Sequence, residues 1–157
     1  VLEGLARTQN QDGVTVVAAE TKGAASFAAS WDASLEQEAL AMVTLPGIAS
    51  VATSLGATCV TPAVIERGQS HVAAGGILES ATMDDASAVS ACMEFADEYR
   101  MLVEPACGAA LAVVYDEALR QKHLKDIPKG KAIVIEVCGG SGVNIDLLQQ
   151  WKSEILE

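Results

Sequence analysis

The sequence predicts a single α/β domain in which helices flank a mostly parallel sheet. Short, often β-branched runs alternate with stretches of helical periodicity along the chain, and this alternation is typical of α/β proteins. Several of the runs are continuously apolar, as buried parallel strands are. The length of 157 residues suits one domain, and no repeat, low-complexity tract or long linker divides it. We therefore assign residues 1–157 to a single α/β domain.

Five segments have the composition of strands. They are rich in apolar residues, and they comprise residues 14–19, 57–60, 76–80, 101–103 and 132–137. We expect the longer ones to pair in parallel, because each is followed by a helical pattern that would carry the chain back across the sheet.

Helical patterns fill the intervals between these strands. Residues 1–7 look like the back half of a helix, and a chain that opens inside an element suggests a piece of something longer. Later helices are predicted after Asp84, from Pro105 to Lys122, and after Asn144, a plausible N-cap. Their apolar faces comprise Val89, Cys92, Met93 and Ala96, then Leu111, Val114, Tyr115 and Ala118, and finally Leu148, Trp151 and Ile155.

Charge and composition exclude several classes of protein. The formal charge of −11 argues against nucleic acid or an anionic membrane as a partner. No apolar run approaches the ~20 residues that cross a bilayer. The first residues lack the basic start and apolar core of a targeting peptide. The four cysteines form no C-x-x-C pair, so zinc-ribbon and thioredoxin-type sites are excluded. We expect a soluble protein of a reducing compartment.

Three loops follow predicted strands and could carry chemistry. Residues 138–144 (CGGSGVN) lie between a strand and a helix, where backbone can approach a ring or a phosphate, although they match neither G-x-G-x-x-G nor a P-loop. Residues 103–110 (VEPACGAA) form a second such junction, and residues 20–26 (ETKGAAS) place a carboxylate and a hydroxyl where a hard cation could bind. Each loop also has a purely structural interpretation: a tight turn, close packing of small residues, or a helix cap.

The two histidines carry no functional signal. His123 lies in a charged run and is expected to be solvated, and His71 has no nucleophile with which a hydrolase triad could be argued.

Four segments, taken in order, resemble the carboxyl-terminal half of the pyridoxal-phosphate-dependent L-serine/L-threonine dehydratases, which have the tryptophan-synthase-β-like fold (fold type II). They are residues 19–27 (AETKGAASF), 45–52 (LPGIASVA) with 55–57 (LGA), 102–112 (LVEPACGAALA) and 137–141 (VCGGS). The resemblance covers nearly the whole chain and implies the C-terminal part of the large cofactor domain of such an enzyme.

The resemblance also implies site residues. Cys138 would face the pyridine nitrogen of pyridoxal 5'-phosphate, with Gly139 and Gly140 forming the turn against which the ring lies. A neutral thiol there does not hold the ring nitrogen protonated, which weakens the electron sink and favours β-elimination. A monovalent cation, potassium, would be held by side-chain oxygen from Glu20 and mainly by carbonyl oxygens from the other ligands. The implied cation ligands are Glu20, Ala24, Ser26, Leu55 and Ala57.

Three family features are missing from this sequence: the Ser-x-Lys-x-Arg-Gly type segment that holds the cofactor, the Ser-Gly-Asn type substrate loop and the glycine run for the phosphate. In the family they precede the matched region. The catalytic-lysine segment and the small domain are therefore expected on a companion chain or a missing N-terminal segment, with no catalytic residue in this chain and no activity of its own.

The complete enzyme would then be a homodimeric cytoplasmic, or mitochondrial, lyase that converts L-serine or L-threonine to ammonia and a 2-oxo acid. Two alternatives stay open: another β-eliminating or β-replacing enzyme of the same cofactor class, and a non-catalytic α/β subunit that binds a phosphate-bearing ligand.

Overall fold

The computed structural model describes residues 1–157 as seven α-helices and two β-strands. In chain order they are α1 (Leu2–Arg7), β1 (Thr15–Thr21), α2 (Ser26–Glu36), α3 (Pro62–Ala73), β2 (Ile77–Met83), α4 (Asp85–Tyr99), α5 (Pro105–Tyr115), α6 (Glu117–His123) and α7 (Ile145–Trp151). Short 3₁₀ turns lie at Lys22–Ala24 and Thr53–Leu55. A π-helical turn, Lys152–Leu156, extends α7. None of the helices has both the length and the apolar character needed to span a membrane.

The two strands form a parallel sheet with helices on both faces. Their register pairs Thr15 with Ile77 and Thr21 with Met83. Side chains alternate between the faces of a strand, so Val16 and Leu78 pack with Phe27, Trp31 and Ile65 of α2 and α3. On the opposite face, Val17, Ala81 and Met83 pack against a larger core. That core is built mainly by α4 and α5, and it includes Ala88, Ala91 and Cys92 of α4 and Leu111 of α5.

The helices begin where the sequence places their signals. Asp84 caps α4 by accepting from the Ser87 amide at 2.9 Å, and Asn144 caps α7 by accepting from the Leu147 amide at 2.8 Å. Pro105 occupies the first turn of α5, where its missing N–H costs nothing. The helical expectation for the first residues and the predicted cap at Asn144 are thus confirmed, whereas the capping role of Asp84 was not predicted.

The predicted helix from Pro105 to Lys122 is divided into α5 and α6. Asp116 adopts an extended conformation between them, with φ −72° and ψ 122°, and its side chain accepts from the Leu119 amide at 3.0 Å. An aspartate that can cap a new helix competes with continuation of the old one. The side-chain pattern was right, and the interruption at Asp116 was missed.

Three of the five predicted strands, residues 57–60, 101–103 and 132–137, are not strands in the structure. A strand exists only where ladder hydrogen bonds are made. No backbone hydrogen bond joins residues 101–103 to residues 132–137, and the bond from the Glu104 amide to the Gly139 carbonyl, at 3.2 Å, lies just after both segments. Within residues 132–137, Ile135 and Val137 pack on the core, but Val134 is 90% exposed. This apolar segment has the composition of a buried strand without the neighbours that would bury it.

Candidate functional site

The turn at residues 138–142 requires its glycines. Gly139 has φ +133°, a conformation that side chains disfavour. A Cβ on Gly140 would overlap the carbonyl of Leu102 and lie 2.8 Å from the Val143 side chain. The turn therefore lies directly on the backbone of the segment that leads into α5, and Cys138 is exposed at its start.

This turn borders a cavity of about 580 Å³. Its walls include Cys138, Gly139 and Gly140, which the sequence singled out, together with Cys107 and Leu55. Two carboxylates, Glu104 and Glu136, also line it, with the Cys138 Sγ 4.0 Å from Glu136 Oε1. No lysine or arginine lies among the lining residues. The cavity can hold an aromatic ring beside a thiol and a bare backbone, but it offers no positive side chain for a phosphate.

Glu104 joins the turn to two other segments. Its Oε1 accepts from the Gly142 amide at 3.0 Å, and its Oε2 accepts from the Ser54 hydroxyl. The hydroxyl of Ser54 and the amide of Gly142 hold the pKa of the Glu104 carboxyl below its usual value. Glu104 therefore stays ionised at neutral pH and contacts both the 3₁₀ turn and the glycine turn.

A second cavity, of about 460 Å³, lies beside the first and shares Ser54, Glu104 and Ala106 with it. Its other walls include the loop around Ser50, Gly142 of the glycine turn and Trp151 of α7. The two cavities form neighbouring concavities on either side of Glu104.

Glu20 lies at the end of β1 and is only 8% exposed. Its two carboxylate oxygens accept from the Phe27 amide at 3.0 Å and the Ala28 amide at 2.8 Å. Burial raises the pKa of the Glu20 carboxyl, and the hydrogen bonds from Ala28 and Phe27 partly oppose that rise. Glu20, rather than Ser26, thus satisfies the first amides of α2, and no cationic side chain is paired with this buried carboxylate.

The loop that carries Leu55 and Ala57 is fixed to the same end of β1. Thr21 Oγ1 lies 2.7 Å from Ser50 Oγ, and Ser50 Oγ donates to Asp85 Oδ1 at 2.6 Å. Because the single Ser50 proton is used by the carboxylate, Thr21 must be the donor to Ser50. A Cβ on Gly23 would overlap the Ala49 carbonyl, so glycine is needed for this close approach.

The structure groups the sequence-predicted residues in two places. Cys138, Gly139, Gly140 and Leu55 line one cavity. Glu20, Ala24 and Ser26 are buried around the start of α2, outside both cavities. Ala57 is exposed, and its amide donates to the Leu55 carbonyl at 2.7 Å.

Glu104, Ser54 and Asp85 are site residues that the sequence interpretation did not assign. A signal for Glu104 was present, because a carboxylate directly before Pro105 stands at a helix N-cap position. Nothing in the sequence indicates that Ser54 or Asp85 faces residues far along the chain.

The expectation that His123 is solvated was wrong. His123 is 7% exposed, and its Nδ1 lies 2.7 Å from Glu79 Oε2. It ends α6, which packs against β2, so a charged run in the sequence still buries one of its members. His71 is also buried, with Nε2 3.0 Å from the Val14 carbonyl. Both histidines pack inside the domain, away from the cavity of Cys138.

The chain is similar to curated proteins over nearly all its length. It is 38% identical over 157 residues to the L-serine dehydratase/L-threonine deaminase of Bos taurus, covering 99% of this chain and 44% of that protein. It is 40% identical over 144 residues to the serine dehydratase-like protein of Homo sapiens, covering 90% of this chain and 40% of that protein. The chain therefore spans less than half the length of these relatives.

Solved structures share the fold. A fungal L-serine ammonia-lyase from Rhizomucor miehei superposes with a TM-score of 0.83 at 29% identity, over 98% of this chain and 44% of that one. Maize serine racemase superposes with a TM-score of 0.63 at 21% identity. The fold-class prediction, α/β with a parallel sheet flanked by helices and belonging to part of a fold type II structure, is thereby confirmed. The family model of the pyridoxal-phosphate dependent enzymes matches residues 1–139, and the chain belongs to that family.

Proposed function

We propose that this chain is the C-terminal piece of an L-serine/L-threonine dehydratase, which eliminates the β-hydroxyl to give ammonia and pyruvate or 2-oxobutanoate. The observation that carries the proposal is the thiol followed by two glycines at the wall of an open cavity, in a chain of this family. Similarity to named serine dehydratases over 90% or more of the chain supports the same substrates.

The residues of the turn fit the ring of pyridoxal 5'-phosphate. The exposed Cys138 thiol would face the pyridine nitrogen, and the turn of Gly139 and Gly140 would give the ring a flat backbone surface. When bound, the cofactor supplies the electron withdrawal that makes the substrate α-proton acidic. A thiol at this position would not hold the ring nitrogen protonated, and the weaker electron withdrawal would favour elimination of the β-hydroxyl.

The groups that would bind the cofactor phosphate and transfer the α-proton lie outside the described cavity. No lysine lines it, so the lysine that takes the α-proton would come from a companion chain or from an N-terminal segment. We propose that the complete enzyme is a homodimer of the cytoplasm or mitochondria. The chain's charge of −11 is consistent with small-molecule substrates and no nucleic-acid partner.

A monovalent cation, potassium, is proposed at the start of α2. The buried Glu20 carboxylate has two backbone donors and no ion-pair partner, so a cation would offset the cost of burying its charge. Ser26 and the carbonyls of Ala24, Leu55 and Ala57 would complete an oxygen site with a single formal charge, which suits a large monovalent ion better than magnesium.

A chimera tests the proposed activity. The segment of the Rhizomucor miehei lyase that this chain matches is replaced by the 157 residues, so that the lyase supplies its own remaining segments. We expect the chimera to release ammonia and 2-oxo acid in equal amounts from L-serine or L-threonine. The isolated chain should release neither, and the intact lyase is the positive control.

Each alternative predicts a different outcome. A β-replacing enzyme would consume serine with an added thiol and form a thioether amino acid in place of 2-oxo acid. A non-catalytic subunit would give a folded chimera that turns over no amino acid, and that result would overturn the proposal.

The cation proposal has a separate test in the chimera. Replacement of potassium by tetramethylammonium should lower activity or the melting temperature, and Glu20→Gln should reduce that difference. If the chimera and its Glu20→Gln variant each have the same activity and melting temperature in both salts, Glu20 acts only as the cap of α2.

A further inference from the structure

Glu104 stands where three separate segments meet. It is the residue before α5, its side chain reaches the Gly142 amide at 3.0 Å, and it also accepts from Ser54. These partners lie 38 and 50 residues away along the chain. Both neighbouring cavities use Glu104 as a shared wall.

The Glu104 side chain does not cap α5. Asp84 and Asp116, which have the shorter side chain preferred at an N-cap, accept from amides in the first turns of their own helices. The Glu104 side chain makes no such bond, and both of its oxygens are directed across the cavity edge. The Glu104 side chain therefore joins loops that are distant in the sequence and does not stabilise the start of α5.

We propose that Glu104 is a positioning residue that holds the 138–142 turn against the 3₁₀ turn Thr53–Leu55. The proposal deepens the proposed function and rests on it, since the turn it fixes carries the thiol that would face the cofactor ring. The carboxylate fixes the Gly142 end of the turn relative to the 3₁₀ turn, which carries Leu55, whose carbonyl is a proposed cation ligand.

The hydrogen bonds of the 138–142 turn predict that loss of the Glu104 carboxylate changes only one end of the turn. The Gly139 end of the turn is held independently, because its carbonyl accepts from the Glu104 amide at 3.2 Å and from Cys107 Sγ at 3.4 Å. The first of these bonds uses backbone and survives any substitution at position 104. Loss of the carboxylate should therefore free Gly142 and leave Gly139 in place.

Amide hydrogen exchange of the 157-residue chain, measured by NMR, tests this directly. In Glu104→Ala we expect exchange of the Gly142 amide to rise about tenfold, which corresponds to one lost hydrogen bond. The Glu104 position's own amide, bonded to Gly139, should keep its rate. Glu104→Gln should stay within about threefold of the parent, because its amide oxygen accepts from Gly142 and its NH₂ donates to Ser54.

Two further variants test whether the effect on the Gly142 amide is specific to the Glu104 carboxylate. Glu136→Ala removes another carboxylate from the same cavity and should leave the Gly142 amide unchanged. Ser54→Ala removes only the hydroxyl, and should accelerate exchange of the Leu55 amide, which bonds the Ala52 carbonyl at 2.9 Å.

Cofactor binding by the chimera is a second measurement. Glu104→Ala should raise the cofactor concentration needed for half-saturation at least about fivefold, and Glu104→Gln should stay near the parent value.

The proposal is overturned by an unchanged Gly142 amide in Glu104→Ala, or by equal acceleration in Glu104→Ala and Glu104→Gln. It is also overturned if all core amides accelerate together and the urea midpoint falls, because the role is then general stability. The exchange measurement needs no cofactor, so an inactive chimera with the expected exchange pattern would refute the dehydratase function and retain the role of Glu104 in the fold.

Discussion

Burial sets the pKa of several individual side chains in this chain more than their neighbours in the sequence do. Glu20 shows this most clearly, because it is buried and its only close donors are two backbone amides of α2. Cys92 is a second case: burial raises the pKa of its thiol to about 12, which leaves it unreactive at neutral pH. Of the two thiols that line the cavity, Cys138 is exposed in its glycine turn and Cys107 is buried.

Replacement of Glu20 should destabilise the chain in a pH-dependent way. Glu20→Ala removes the acceptor of two helix amides and should lower the free energy of unfolding by about 1–2 kcal/mol at pH 7. Because the folded pKa of Glu20 is raised, the folded state binds more protons, and the contribution of Glu20 to stability is fully present below its unfolded pKa and falls as pH rises through the folded pKa. The deficit of the variant should therefore be larger at pH 4.5 than at pH 7.

Urea unfolding in potassium-free buffer measures this deficit. Ser26→Ala is the matched control, since Ser26 begins the same helix and the amides of Phe27 and Ala28 bond Glu20 instead of Ser26. A deficit that shrinks as pH falls would show that the α2 amides outweigh burial in setting the Glu20 pKa.

Cys138→Ala should separate chemistry from packing. The side chain is exposed, so its truncation should change stability by less than about 0.5 kcal/mol. In the chimera we expect a lower rate of 2-oxo acid formation and an altered absorbance spectrum of the bound cofactor. An unchanged spectrum and an unchanged rate would remove Cys138 from the proposed site.

At the scale of elements, the contact between α4 and α5 depends on small residues. A Cβ on Gly108 would overlap the Ala88 carbonyl and lie 2.6 Å from Cys92 Sγ. Gly108→Ala should therefore destabilise the chain by about 1–3 kcal/mol, although alanine is the better helix former. Gly4→Ala in α1 meets nothing within 4 Å and should stabilise it by up to about 1 kcal/mol. Opposite shifts of the two melting temperatures would confirm that packing, not propensity, selects glycine at position 108.

At the scale of the whole molecule, the segment 132–137 is an apolar strand sequence without ladder partners. Unpaired apolar strands promote association between chains, and Val134 is 90% exposed. We expect Val134→Lys to lower the average mass in sedimentation velocity toward 16.2 kDa, with unchanged secondary structure. Leu35→Lys, at an exposed apolar residue of α2, is the control and should leave the mass distribution as it is.

Sequence alone determined the fold class, the helix starts at Asp84, Pro105 and Asn144, the glycine turn after Cys138 and the resemblance to the dehydratases. The helix starts and the glycine turn depend on local chemistry, such as a capping side chain, a fixed proline φ or a glycine conformation, which adjacent residues specify. The fold class and the resemblance depend on patterns along the whole chain, which the sequence also contains. Tertiary structure alone decided that Glu104 reaches Gly142 and Ser54, that Glu20 rather than Ser26 caps α2, and that His123 is buried against Glu79. It also decided that residues 132–137 remain unpaired, because a ladder needs a second strand in register and no single segment specifies its own neighbour.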